Sequence, residues 1–265
     1  MRIPFLSRAP VVPLVRLEGL IAPRRGALPG AALDITAAAP LLERAFAIRR
    51  APAVFLAVNS PGGSPVQASL IGRRIRQLAE RHGKPVVAVV EDAAASGGYW
   101  IACAADEIIA DPASILGSIG VLSAGFGAHE ALARLGLERR IATAGEEKAF
   151  LDPFSPLKES DRDRLRALLD ALHEEFKSWV RDRRAGRLQA PEEVLFTGRF
   201  WTGREAVALG LADGLGDAAG EARRRFGEEA RLLPLGPRRR RFPWGLLGDA
   251  ALAFEERAAW ARLGL

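Results

Sequence analysis

In the stretch "AAASGGYW", Ala93 to Trp100, one hydroxyl stands between three alanines and two glycines. Small neighbours let a ligand approach the backbone, and glycine admits dihedral angles that other residues avoid. Ser96 therefore reads in two ways: as part of a tight internal turn, or as a nucleophile presented to a substrate. Upstream, "NSPGGS" forms a second small-residue loop around Gly62 and Gly63. Acyl transfer needs a nucleophile, a base, and N–H donors for an oxygen that becomes negative. The amides of Gly62 and Gly63, and those of Gly97 and Gly98 at the start of a short helix, carry no side chain to block that oxygen. In a known case, removing one such donor costs about 2.7–4 kcal/mol. Each loop alone reads more readily as an ordinary turn. The two together, each directly after an apolar run and with a helix between them, point to one site.

A base for Ser96 is less obvious. His82 ends a helix beside glycine, His129 opens a short one, and His173 lies inside a long helix next to Glu174 and Glu175. Each reads as an ordinary surface or half-buried histidine. The chain has 38 basic residues, of which only Lys84, Lys148, Lys158 and Lys177 are lysines. Arginine stays protonated and cannot serve as a base, whereas a lysine stripped of water gives up its charge more readily. Lys84 lies in the turn "HGKP", and Lys158 and Lys177 sit among acids on a helix. Lys148, in "TAGEEKAFLDPF", follows a strand-like run and precedes Ala-Phe-Leu, so it is the lysine most easily placed in a site.

The surrounding pattern must position these residues. "VVPLVRLEGLIA" reads as a first strand and residues 38–49 as an alanine-rich helix. "AVFLAVNS" reads as a buried strand. Ser64-Pro65 has the form of a helix N-cap and first position. The helix it opens runs to about His82, with Val66, Leu70, Ile71, Ile75 and Leu78 on one face. "PVVAVVED" is the next apolar strand, and "DEIIAD" and "PASILGSIGVLSA" supply further ones. His129 to Leu135 reads as a helix and "LERRIATA" as a strand. Lys158 to Arg184 is the clearest helix, with Ser160 and Asp163 available to cap it. "VLFTGRFWTGREAVALGLADGLGD" reads as strand, turn and helix. Alternating strands and helices argue for an α/β fold, in which ligands lie beyond the carboxyl ends of strands.

The 265 residues are 49% hydrophobic and suffice for a substantial core without staples. One cysteine, Cys103, excludes an internal disulfide, and three scattered histidines give no metal-ligand spacing, so neither a metal nor a cofactor is expected. The net charge is +6, concentrated toward the C-terminus. There, Arg238 to Arg241 precede "FPWGLLG" and a stretch with the pattern of an amphipathic helix. This segment fits a solvated tail, a cap on an assembly, or an acidic membrane surface with Trp244 at the interface. No nucleic-acid motif is present. Pro10, Pro13 and charged residues break the N-terminal apolar runs, so no membrane span or signal peptide is expected.

Four blocks resemble a known family: "AVNSPGGSPVQAS", "VVAVVEDAAASGGYWIACAADEIIADPASILGSIGVL", "TAGEEKAFLDPFSP" and "FTGRFWTGREAVALGLADGLGD". In order, from about Leu14 to Gly216, they are similar to the signal peptide peptidase A (SppA) family of serine–lysine proteases. The resemblance implies a crotonase/Clp-protease-like α/β fold, a ββα superhelix. It implies Ser96 as nucleophile, Lys148 as general base, and the N–H groups of Gly63 and Gly97 as the oxyanion hole, with Gly62 and Gly98 beside them. Ser118, in "GSIG", matches a serine that hydrogen-bonds the base lysine, and Asn59 and Ser60 match the start of the glycine loop. The substrates implied are cleaved signal peptides and other small or unfolded apolar peptides. Familiar members begin with a membrane anchor, and long ones carry two copies of the domain.

From this we expect an N-terminal extension at 1–12, an SppA-like protease domain at 13–220, and a basic linker with an amphipathic helix at 221–265. We also expect a homo-oligomeric ring in which Ser96 and Lys148 come from adjacent subunits. The expected location is the cytoplasm, with peripheral contact at the inner face of a bacterial membrane. Two readings from other classes compete: a crotonase-like acyl-CoA enzyme that needs neither Ser96 nor Lys148, and a non-catalytic, membrane-associated scaffold.

Overall fold

Alternating residues along the first strands divide the core into two layers. The computed structural model describes residues 9–23, 32–145, 147–236 and 249–265. In strands β1 (Val11–Glu18), β2 (Val54–Ser60) and β3 (Val86–Ala95), Val15, Leu17, Val54, Leu56, Val58, Val86, Ala88 and Val90 face one layer. Leu14, Phe55, Ala57, Val87 and Val89 face the other. Helices α1 (Ile35–Phe46) and α2 (Pro65–His82) cover the first face through Leu42, Phe46, Ile71 and Ile75. Helix α8 (Ala218–Phe226) covers the second through Ala222 and Phe226, whose ring lies 6.4 Å from that of Phe55. A sheet buried on both faces is what continuous apolar strands and parallel pairing produce together.

Between them lie α3 (Gly97–Ala102), β4 (Glu107–Ala110), β5 (Ile115–Gly117), α4 (His129–Arg134) and α5 (Glu159–Arg183). Then follow α6 (Glu192–Leu195), β6 (Phe200–Thr202), α7 (Gly203–Ala208) and β7 (Gly214–Leu215), with β8 (Arg231–Leu235) and α9 (Asp249–Ala261) after α8. The sheet order is β6-β5-β3-β2-β1-β8, and β4 pairs with β3 and β7. Every pairing is parallel except β5 with β6. This is the α/β class the resemblance implied. β8 pairs with β1, so residues of the basic C-terminal segment add an edge to the sheet.

β3 changes partner halfway. Val87–Val90 pair with β4 and Ala93–Ala95 with β5, and the register against β2 shifts between Val58 and Ser60. Asn59 fills the gap: its Oδ1 accepts from Ala93 N at 3.1 Å, and its Nδ2 donates to Asp92 at 2.6 Å. The bulge turns the second half of β3 toward β5, and the strand ends at Ser96.

α2 follows its sequence signals. Ser64 accepts from Gln67 N, Pro65 takes the first position, and Gly83 closes the helix in a left-handed conformation. The apolar face is narrower than expected: Ala68, Ile71, Ile75, Leu78 and Ala79 are buried, whereas Val66 and Leu70 are exposed. α1 begins earlier than its alanine run suggests, because Asp34 caps it by accepting from Ala37 N at 2.7 Å.

The chain divides into two compact units, one running to Gly120 and resuming at Phe176, the other Val121–Glu175. In the second unit, α4 has no buried residue. "LERRIATA" is not a strand. Its residues are exposed, Arg140 pairs with Glu138, and no strand among the described residues supplies a ladder, without which an isolated strand gains nothing. Leu168 and Leu172 of α5 are exposed, and only Phe176 and Val180 of that helix are buried. The residues Arg238–Arg241 and Trp244 lie outside the described residues. Among the described residues, no helix is long and apolar enough to cross a membrane.

Candidate active site

Ser96 ends β3 and precedes α3, with φ 52° and ψ −120°. A non-glycine residue held at positive φ costs on the order of 1–3 kcal/mol, and such strain gathers at functional sites. Two backbone bonds hold it: Ser96 N donates to Gly117 O at 2.8 Å, and Ser96 O accepts from Trp100 N at 3.0 Å. Its hydroxyl makes no cap bond to α3. Ser96 is half-exposed, while Ala93–Ala95 and Gly97–Trp100 around it are buried. The small residues hide the turn and leave Ser96 partly accessible.

The glycine loop is pressed against this turn. A Cβ on Gly62 would lie 2.7 Å from Ser96 Cβ and 2.8 Å from Ala95 O. A Cβ on Gly63, whose φ is 135°, would lie 2.0 Å from Ile21 O. Gly97 packs toward Gly63 N, and Gly98 packs against Ser60 O. Ser60 braces the loop from inside: its hydroxyl donates to Gly19 O at 2.7 Å and accepts from Gly62 N at 3.2 Å. Gly62 N is thereby used. The amides of Gly63 and Gly97 donate to no acceptor among the described residues. Those two N–H groups lie near each other and next to Ser96, which is the arrangement an oxyanion hole requires.

Ser118 follows β5 as Ser96 follows β3. Ala95 pairs with Gly117, so the two serines take the next positions on neighbouring strands, and Ser118 also has positive φ, 53°. Its amide donates to Arg199 O at 2.7 Å. Asn59 is a brace of the bulge. Ser96, Gly62, Gly63, Gly97, Gly98, Ser118 and Asn59 thus share one region of the first unit. Lys148 belongs to the second unit. It is exposed there, and its amide donates to Gly145 O at 3.2 Å. The adjacent Glu147 pairs with Arg164, which also lies over the Phe150 ring. Leu151 of the same turn has φ 53° and donates its N–H to Asp161 at 3.2 Å.

The other candidate bases have structural settings. Burial lowers the pKa of Lys84, but its amine is spent on Phe46 O and Ile48 O at 2.9 and 2.6 Å, closing the end of α1. His82 packs near Phe46. The one thiol, Cys103, is fully buried, and burial pushes its pKa up to about 12, so it stays protonated and unreactive. Tyr99 donates to Leu211 O at 2.8 Å, and burial raises its pKa well above the usual phenol value.

Sequence reasoning passed over Ile21 and Gly117. Ile21 N donates to Gly62 O at 2.8 Å, and Ile21 O accepts from Ser64 N at 2.7 Å, so this residue straps the glycine loop in place. The only trace in the sequence is the apolar "GLIA" running on past the first strand.

A strained serine at the carboxyl end of a parallel strand, next to two amides without an acceptor, has the parts that acyl transfer through serine requires. Comparison with known proteins places the chain more closely. The model of peptidase family S49 matches residues 79–232. The chain belongs to that family, which holds the SppA-type serine proteases. It is 32% identical to the chloroplastic serine protease SPPA of Arabidopsis thaliana over 77% of its own length and 30% of the relative's. It is 34% identical to protease 4 of Salmonella typhi over 62% and 26%. It is also 48% identical, over 96% of its length, to a region making up 37% of a protein named Na(+)/H(+) antiporter NhaA in Brucella melitensis. The chain therefore spans well under half of each of these relatives.

Proposed function

We propose that the chain is a serine endopeptidase in which Ser96 attacks a peptide carbonyl and Lys148 acts as the base. The observation that carries this reading is the Ser96 turn set against the free amides of Gly63 and Gly97. Ser96 Oγ bonds to the carbonyl carbon while its proton passes to the Lys148 amine. The carbonyl oxygen becomes negative and accepts from Gly63 and Gly97. When the tetrahedral intermediate collapses, the C–N bond breaks and the leaving amine takes the proton from Lys148. Water then attacks the acyl-enzyme, with Lys148 again receiving a proton, and Ser96 is regenerated. Ser118, on the strand end beside Ser96, is proposed to orient the lysine amine.

The substrates proposed are signal peptides and other small or unfolded apolar peptides. We further propose a homo-oligomeric ring in which Lys148 serves the Ser96 of a neighbouring subunit. Two features support it: Lys148 is exposed within its own unit, and that unit carries exposed apolar residues, Phe126 at 96% exposure among them. We also propose that it works at a membrane surface, on the inner face; the similarity to a region of a polypeptide named as an antiporter supports only the membrane part of that reading.

Hydrolysis of casein and of an apolar fluorogenic peptide tests the reading. Ser96→Ala and Lys148→Ala should each lower turnover by about 10⁴-fold or more, the scale seen when a nucleophile or its base is removed. A serine-directed phosphonate should label Ser96. Turnover unchanged in either variant overturns the dyad, and acyl-CoA turnover without phosphonate labelling would favour the crotonase-like alternative.

A further inference from the structure

The far end of α3 is gripped by arginines. Four successive carbonyls beyond the helix each accept from a guanidinium. Arg183 Nε donates to Cys103 O at 3.0 Å, and Arg76 Nη1 to Ala104 O at 3.2 Å. Arg183 Nη2 donates to Ala105 O at 3.0 Å, and Arg187 Nη1 to Asp106 O at 2.7 Å. One turn back, Trp179 Nε1 donates to Trp100 O at 2.9 Å, and the Phe176 ring stacks on Trp100 at 4.6 Å. Arg183, Trp179 and Phe176 all come from the last turns of α5.

This grip exceeds what the helix end needs. Ile101 O and Ala102 O already accept from Ala104 N and Ala105 N at 3.0 Å each. The grip also carries an electrostatic cost. Asp106 accepts from Arg76 at 2.7 Å and Arg183 at 3.5 Å, one carboxylate between two cations. Burial, and then the neighbouring Arg76, hold the Arg183 pKa below its usual value. Arg76 Nε is buried without a partner. A surface loop could satisfy four carbonyls with water and avoid all of this.

What the arginines fix is position. α3 has six residues, a rigid rod of roughly 9 Å. Its first amide is Gly97 N, and the residue before it is Ser96. A shift at the far end is carried to the amide that must meet the oxyanion. We propose that Arg183 is a positioning residue: its two-pronged bond to Cys103 O and Ala105 O sets where α3 lies along its axis, and so where Ser96 and the Gly97 amide stand. This rests on the acyl-transfer reading above. A misplacement of about 1 Å in such a site can cost 10²-fold in rate.

The test uses Arg183→Met and Arg183→Lys in the full chain. Turnover of the fluorogenic peptide is normalised to sites titrated with fluorophosphonate, and the thermal midpoint is measured in parallel. The expected result for Arg183→Met is kcat per titrated site lower by about 10- to 100-fold, with KM within twofold. Arg183→Lys, which keeps the charge but cannot span both carbonyls, should recover the thermal midpoint and not kcat. If Arg183→Met fails to fold, Trp179→Phe, which deletes only the bond to Trp100 O, should lower kcat at unchanged KM. The proposal is overturned if the folded variants keep the parental kcat per site while only the midpoint falls, or if lysine restores kcat in full. A parent that neither turns over peptide nor labels at Ser96 overturns the acyl-transfer reading itself, and this inference with it.

Discussion

At the residue scale, strain and access are set by different atoms. Ser96 and Ser118 bear positive φ on adjacent strand ends, and Gly63 bears it on the facing loop, so three backbones bend where a substrate carbonyl would enter. Of the four glycines beside Ser96, Gly63 is the one where a side chain is least tolerable. Alanine there would meet the Ile21 carbonyl at 2.0 Å, and the loop would have to move away from Ile21 and carry the Gly63 amide with it. Gly63→Ala should lower kcat by about 10²- to 10³-fold, the loss seen when one oxyanion donor goes, with KM little changed. Gly83→Ala is the control: its φ is also positive, but nothing lies within 4 Å of an added Cβ, so only stability should change. Steady-state kinetics on both variants decide the matter, and equal rates would remove Gly63 from the oxyanion hole. Ser96 and its glycines were legible because small residues directly after an apolar run are unusual. The bend at Ser118 was not, since serine has no preference for that conformation. Ile21 was hidden because its bonds to the loop join segments far apart in sequence.

At the element scale, the long helix anchors by an ion pair that its sequence conceals. Arg184, one residue past α5, is 1% exposed. It donates to Gly210 O twice, at 3.1 and 2.7 Å, and to both oxygens of Asp213, at 2.7 and 3.0 Å. Asp213 also accepts from Ile108 N at 2.7 Å, which ties the pair to β4. Removing one partner of a buried pair leaves the other charge uncompensated and costs about 3–5 kcal/mol. Arg187 also donates to Asp213, at 3.3 Å, so Arg184→Met leaves that carboxylate one half-exposed partner and should lower the free energy of urea unfolding by up to, and not beyond, that amount. The double variant Arg184→Met with Asp213→Leu should recover a large part of the loss. A double variant no better than the single one would mean that Arg184 acts through its bonds to Gly210 O and not through the charge. In the sequence, "RDRRAG" looks like a solvated helix end, and nothing local separates Arg184 from Arg183 or Arg181. α2 was the opposite case. Its cap, its first proline and its closing glycine are local chemistry, so both ends were readable, while Val66 and Leu70 lie outside the buried face that Ala68, Ile71, Ile75, Leu78 and Ala79 form.

At the scale of the whole molecule, Ser96 and Lys148 lie in separate compact units, and that division left no mark in the sequence. The run 121–175 mixes apolar and charged residues as an ordinary surface would, so its exposed Leu122, Phe126, Leu135 and Leu137 could not be told from core residues. A unit with so little of its apolar surface buried gains stability when a second molecule covers it. A head-to-tail contact that closes into a ring would cover it in every copy by one repeated interface. Such a ring has a kinetic signature. Chains carrying Ser96→Ala keep Lys148, and chains carrying Lys148→Ala keep Ser96. If each site takes its serine from one subunit and its lysine from the next, one of the four equally frequent neighbour pairings in a mixed ring is intact. Activity should return when the two inactive preparations are mixed under conditions of subunit exchange, and not when they are mixed without it. If both residues act within one chain, every site in every mixed ring lacks one of them, and no ratio of the two preparations restores turnover. Native mass spectrometry on differently tagged chains verifies the exchange, so silence from rings shown to be mixed places the dyad within a single chain.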